Sequence, residues 1–208
     1  MVTLAELRLF AKYHFKRRVY DHPAQEHELG VQLLGYDPVA YAERMRALAE
    51  RDGVTVEQLD SIDYRDDSYP VFLVQLGPSD ARKQLLVLAG VHGNEQAGLL
   101  AVEDIVAAAD RESDVALAIV TPVNPVGAAH NSRYNGQGYD INRDFVRFDT
   151  REAKLVVRVS DRLSPDFVVS LHEGPQAATF AFVNRWVSDD LARSLVATLE
   201  AGGTELAR

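Results

Sequence analysis

Three short apolar runs constrain this chain more than any other feature: QLLVLAG at 84–90, VALAIVT at 115–121 and DFVVSL at 166–171. All three read as strands; the continuous apolar run at 84–90 marks a strand covered on both faces, and 115–121 is the next buried strand. Helical spacing fills the gaps between them. Residues 95–109 carry Leu99, Val102 and Val106 on one stripe, and a second helix at 151–163 stops at Ser164-Pro165. Strands alternating with helices predict an α/β fold in which helix layers sandwich the sheet. Upstream, Asp37-Pro38 reads as an N-cap followed by proline at the first helical position, and Gly53 ends that helix. The stretches 59–64 and 70–77 alternate around the polar turn RDDSY and read as a hairpin. The expected sheet is therefore mixed, mostly parallel, with helices on both faces. TFAFVN at 179–184 reads as a further strand and 189–200 as a last helix, with Phe180 and Trp186 as core residues. Residues 1–36 read as a lead-in, and 37–208 as one α/β domain.

Composition narrows the chemistry. The 208 residues include 22 Lys and Arg against 31 Asp and Glu, a net charge of −9. That balance argues against nucleic acid as a partner, because phosphate backbones need clustered cations. With no cysteine, disulfides, thiolate metal sites and cysteine nucleophiles are excluded, so a metal would fall to the six histidines and to carboxylates. No apolar run reaches the roughly 20 residues of a membrane helix. The N-terminus shows no apolar core followed by a cleavage site, so a cytoplasmic location is the expectation. Oligomeric state is not readable from the chain.

In sheets of this kind, ligands gather beyond the carboxyl ends of the strands. After the 84–90 strand stand His92 and Glu95, three residues apart at a strand-to-helix junction. After the 166–171 strand stands His172. Taken singly, each has an ordinary reading: a surface histidine beside a helix-start acid, and a rim histidine bonded to backbone. Together they form a His₂Glu set, which suits a catalytic zinc that keeps one position open. Between them runs a Gly-rich loop holding Arg133, Asp140, Asn142 and Arg143. Arginine forks there could anchor a carboxylate or steady an oxyanion, or could simply pair with Asp140 and Asp144.

The segments GVHGNE (90–95), NP (124–125), RYNGQGYDINRDF (133–145) and SLHE (170–173), in that order, resemble the zinc carboxypeptidase family of the carboxypeptidase A type. The resemblance implies one Zn2+ held by His92, Glu95 and His172. It implies that Arg133 polarises the scissile carbonyl, that Asn142 and Arg143 clasp the substrate's free carboxylate, and that Asp140 orients a ligating histidine. The implied reaction is metal-assisted hydrolysis of an amide in a small peptide. An N-acyl amino acid deacylase of the aspartoacylase or succinylglutamate desuccinylase kind shares these features and stays open. The family's general base is a glutamate well downstream of the last ligand, and only 36 residues follow His172. Glu173, Glu200 and Glu205 do not match it. The resemblance therefore implies that C-terminal strands are missing, and leaves a third reading, a zinc- or peptide-binding remnant without turnover. Val126 stands where peptidase members often carry an acid.

Overall fold

The computed structural model describes residues 36–78, 80–109, 114–174, 179–204 and 206. The lead-in at 1–35, with His14, His22 and His27, and the glutamate at 205 lie outside the described residues. The chain divides into two compact units, one ending at His172 and one running from Glu173 to Arg208.

The first unit opens with helix α1 (Pro38–Ala47), where Asp37 Oδ1 accepts the Ala40 N–H at 2.7 Å and Pro38 takes the first turn. Next come strands β1 (Val54–Tyr64) and β2 (Asp67–Leu76), an antiparallel hairpin. Strand β3 (Lys83–Leu88) leads into two short helices, α2 (Ala97–Leu100) and α3 (Val102–Ala108). Then follow β4 (Val115–Thr121), α4 (Pro125–Ala129), α5 (Ile141–Asp144), α6 (Arg151–Leu163) and β5 (Phe167–Ser170). The five strands form one sheet in the order β1-β2-β4-β3-β5. Strand β3 pairs in parallel with β4 and β5, while β2 pairs antiparallel with β1 and β4. The fold is thus α/β with a mixed sheet, as the alternation of elements predicts.

Strands β1 to β4 divide their side chains between two cores, because successive residues face opposite sides of a sheet. Phe72, Val74, Val87 and Ile119 pack with Tyr41 and Met45 of α1 and with Leu99, Val102 and Val106 of α2 and α3. Val71, Leu73, Leu86 and Val120 pack on the other face with Ile141 of α5 and with Ala153, Leu155, Val156 and Val159 of α6. Burying each large side chain here contributes about 1.5–3 kcal/mol. This double burial explains why β3 and β4 read as continuous apolar runs.

Three expectations need correction. The helix expected over 95–109 starts only at Ala97 and is interrupted at Ala101, because residues 92–96 form turns, with the Glu95 N–H donating to the His92 carbonyl. The strand expected at 179–184 is absent; Thr179 makes one isolated bridge to Leu206, within the second unit. Trp186 is no core residue: it is 80% exposed, with the Arg185 guanidinium over its ring at 4.6 Å. The second unit otherwise holds helix α7 (Asp189–Ala201), capped by Ser188.

Candidate metal centre

The carboxyl ends of the three mutually aligned strands β3, β4 and β5 lie along one edge of the sheet. Beyond them the chain stays knitted together. The Val123 and Asn124 N–H groups donate to Ala89 and Gly90, and the Leu171 N–H donates to Leu88. Gly90 adopts φ +72°, a conformation open to glycine at little cost. At Gly93 a Cβ would lie 1.9 Å from the Gly127 carbonyl carbon, so the turn carrying His92 rests directly on the backbone of α4. That helix start is itself fixed: Asn124 Oδ1 accepts the Gly127 N–H at 2.9 Å, with Pro125 at the first position.

These constraints bring His92, Glu95 and His172 together, with one donor atom of each within 4.8 Å of the others. His92 Nδ1 lies 2.7 Å from Glu95 Oε1, and His172 Nδ1 lies 2.7 Å from Glu95 Oε2. The remaining ring nitrogens are engaged elsewhere. His92 Nε2 faces Asp140 Oδ1 at 3.1 Å, and His172 Nε2 faces Ser170 Oγ at 3.0 Å. With His92 Nε2–H given to Asp140 and His172 Nε2 held by the Ser170 hydroxyl, Nδ1 of each ring is the nitrogen turned toward Glu95 and the shared centre.

His92 is 2% exposed and sits between two carboxylates. Burial by itself would lower its pKa, but hydrogen bonds to Asp140 and Glu95 outweigh that and raise it. Burial pushes Glu95 upward, yet the two histidines draw it down to about 2. Asp140 is likewise lowered, burial being overcome by His92 and Arg133. Two anions thus lie against the His92 ring, and the proton that ring carries occupies the place a cation would take. Nitrogen and oxygen donors in this set fit zinc, and the absence of thiolate fits the cysteine-free composition.

Arg133 joins the cluster. Its Nε donates to Asp140 Oδ2 at 3.1 Å and its Nη1 to Glu95 Oε1 at 3.3 Å, with the side chain 33% exposed. Asn142 and Arg143 lie on α5, immediately after Asp140. Asn142 is half-buried, and Arg143 is exposed with no ion-pair partner among the described residues. Glu173 is exposed, as is Glu200 on α7. Val126 is fully buried, its Cγ1 3.3 Å from where a Cβ would stand on Gly136, so an acid at this position would be buried as well. His130 is packed between the rings of Tyr64 and Tyr69.

Sequence reasoning missed Ser170, Asn135 and Glu152. Ser170 could have been noticed as the residue two before His172 on the same strand face. The pairing of Asn135 with Glu152 spans 17 residues and has no local signal.

Comparison with known proteins agrees with this fold. Over 104 residues, 46% of this chain, the sequence is 28% identical to Carboxypeptidase 2 of Trichophyton tonsurans. The chain spans about a fifth of the length of the fungal carboxypeptidases it matches. The metallo-carboxypeptidase of Burkholderia cenocepacia superposes with a TM-score of 0.65 at 19% identity, covering 81% of this chain and 50% of that one. A metallo-carboxypeptidase from Pseudomonas aeruginosa, in complex with (2-guanidinoethylmercapto)succinic acid, gives 0.63 at 21% identity, covering 82% and 49%. Residues 40–195 match the family described as Protein of unknown function (DUF2817), so the chain belongs to that family, and its fold is the metallo-carboxypeptidase fold.

Proposed function

We propose that the chain carries the metal centre of a zinc-dependent, carboxypeptidase-like hydrolase that cleaves an amide bond next to a free carboxylate. One observation carries this reading. The Nδ1 atoms of His92 and His172 converge on Glu95, while Asp140 and Ser170 hold both Nε2 atoms away. His92, Glu95 and His172 would hold the ion. A bound zinc would supply Lewis-acid polarisation of the carbonyl and acidify the attacking water.

The chain's own residues supply the rest. Asp140 fixes the His92 ring by accepting Nε2–H, so that Nδ1 is the nitrogen that would give up its proton to a metal. Arg133, already beside Glu95, presents its guanidinium where negative charge would develop on the carbonyl oxygen. Exposed Arg143, with Asn142 next to it, would take the substrate's terminal carboxylate in a two-pronged hydrogen bond. The succinic acid derivative bound to the Pseudomonas relative supports a carboxylate-bearing substrate. Glu95 and Asp140 are both committed to histidine and Arg133, so neither is free to take the proton of the attacking water.

The test is hydrolysis of C-terminally free dipeptides and of N-acyl amino acids by zinc-loaded protein. Cleavage of the peptides is the expected result. Cleavage of N-acyl amino acids alone would assign the deacylase reading. Retention of zinc with neither substrate cut would assign a binding function. Arg143→Ala should raise KM for peptides by about 10-fold or more, since a charge-assisted pair contributes roughly 1.5–3 kcal/mol.

A further inference from the structure

We propose that Glu152 is a positioning residue for this centre, acting through Asn135 on the turn that holds Asp140 against His92 and Arg133 against Glu95. The inference rests on the metal-centre reading above. Glu152 is 3% exposed, in the first turn of α6. Both of its carboxylate oxygens accept from Asn135 Nδ2, at 3.2 and 3.1 Å. Its carboxylate also bonds its own backbone N–H, but the helix cap is supplied by the Thr150 hydroxyl, which accepts the Ala153 N–H at 3.2 Å. A buried carboxylate is costly, so its retention calls for a reason beyond the helix.

Asn135 supplies that reason. It is 1% exposed, and its Oδ1 accepts the N–H groups of Gln137 and Tyr139 at 3.0 and 2.9 Å. Its own N–H donates to the Tyr139 carbonyl, and its carbonyl accepts from Gly138. The 135–139 turn is therefore wrapped around one side chain, whose NH₂ is left for Glu152. On either side of that turn stand Arg133 and Asp140, which meet each other at 3.1 Å and reach Glu95 and His92. The far end of the segment is moored to the same helix start: Asp144 Oδ2 accepts the Thr150 N–H and hydroxyl at 2.7 and 2.8 Å. The start of α6 thus anchors the loop that aims Asp140 at the imidazole, although it touches no donor atom itself.

Two readouts test this. In metal-free protein labelled at histidine, the His92 Nε2–H given to Asp140 should be a slowly exchanging nitrogen-bound proton in NMR. In titration, zinc affinity reports the aim of the ring. Glu152→Leu should lose the slow proton and bind zinc about 10–100-fold more weakly, with its circular dichroism unchanged. Glu152→Gln keeps one acceptor oxygen and should restore both readouts toward the original protein. Leu155→Ala, a cavity under the same helix, should lower the melting temperature and leave both readouts alone. If Glu152→Leu does not fold, Asn135→Asp sets two carboxylates together and should weaken zinc, while Asn135→Asp with Glu152→Gln recreates the bond with donor and acceptor exchanged and should recover it. A folded Glu152→Leu with the original proton and affinity would overturn the proposal, as would a double variant no better than Asn135→Asp alone. If the unaltered protein binds no zinc, the metal-centre reading fails, while the ring proton still decides the role of Glu152.

Discussion

His92 is held between two carboxylates, and this gives the metal-free protein a definite pH response. Its pKa lies above the ordinary 6.5 because hydrogen bonds to Asp140 and Glu95 overcome burial. Stability from the protonated ring is therefore present below 6.5 and is lost as pH rises through the higher folded value. A metal demands the unprotonated ring, so stabilisation by zinc grows over the same interval. Melting temperatures measured from about pH 6 to about pH 9 should fall with a chelator present and rise with equimolar zinc; parallel curves would contradict the assignment. The ligands themselves were legible because His-x-x-Glu and a second His each follow an apolar run that forms a strand. Their orienting partners were less so. Asp140 was reachable only through a family resemblance, and Ser170 and Glu152 act through contacts that only the folded backbone creates.

The elements around the site leave little room for change. The backbone of Gly93 lies against that of Gly127, and a Cβ there would stand 1.9–2.4 Å from backbone atoms of Gly127 and Ala128. Gly93→Ala should destabilise the fold by about 1–3 kcal/mol or more and displace His92, seen as a lower melting temperature together with reduced zinc content. Leu155→Ala on α6 should cost about 2–5 kcal/mol in denaturant unfolding, against less than about 0.5 kcal/mol for exposed Val146→Ala. Strands β3 and β4 were plain in the sequence because double burial removes polar residues from both faces. Helix α6 was plain because Thr150 caps it and Ser164, at φ +47°, ends it. The 95–109 segment misled because the stripe of Leu99, Val102 and Val106 reports neither the turns at 92–96 nor the break at Ala101. The 179–184 segment misled because alternation alone supplies no partner strand.

At the scale of the molecule, the mixed sheet brings His92 and His172, 80 residues apart, to the same edge, since β3 pairs in parallel with β5. Among the described residues no helix is long and apolar enough to cross a membrane. Among the described residues strand β5 pairs only with β3, and its Phe167, Val168 and Val169 are exposed. The chain spans 48–52% of the first three structural relatives. His92, Glu95 and His172 form a group that could hold a metal ion, and metal stoichiometry tests that most directly. Protein dialysed against trace zinc and assayed by mass spectrometry should retain one zinc per chain, and His92→Ala should retain less than about a tenth of that. Equal zinc in both proteins, or none in the unaltered chain, would contradict a metal centre built from His92, Glu95 and His172.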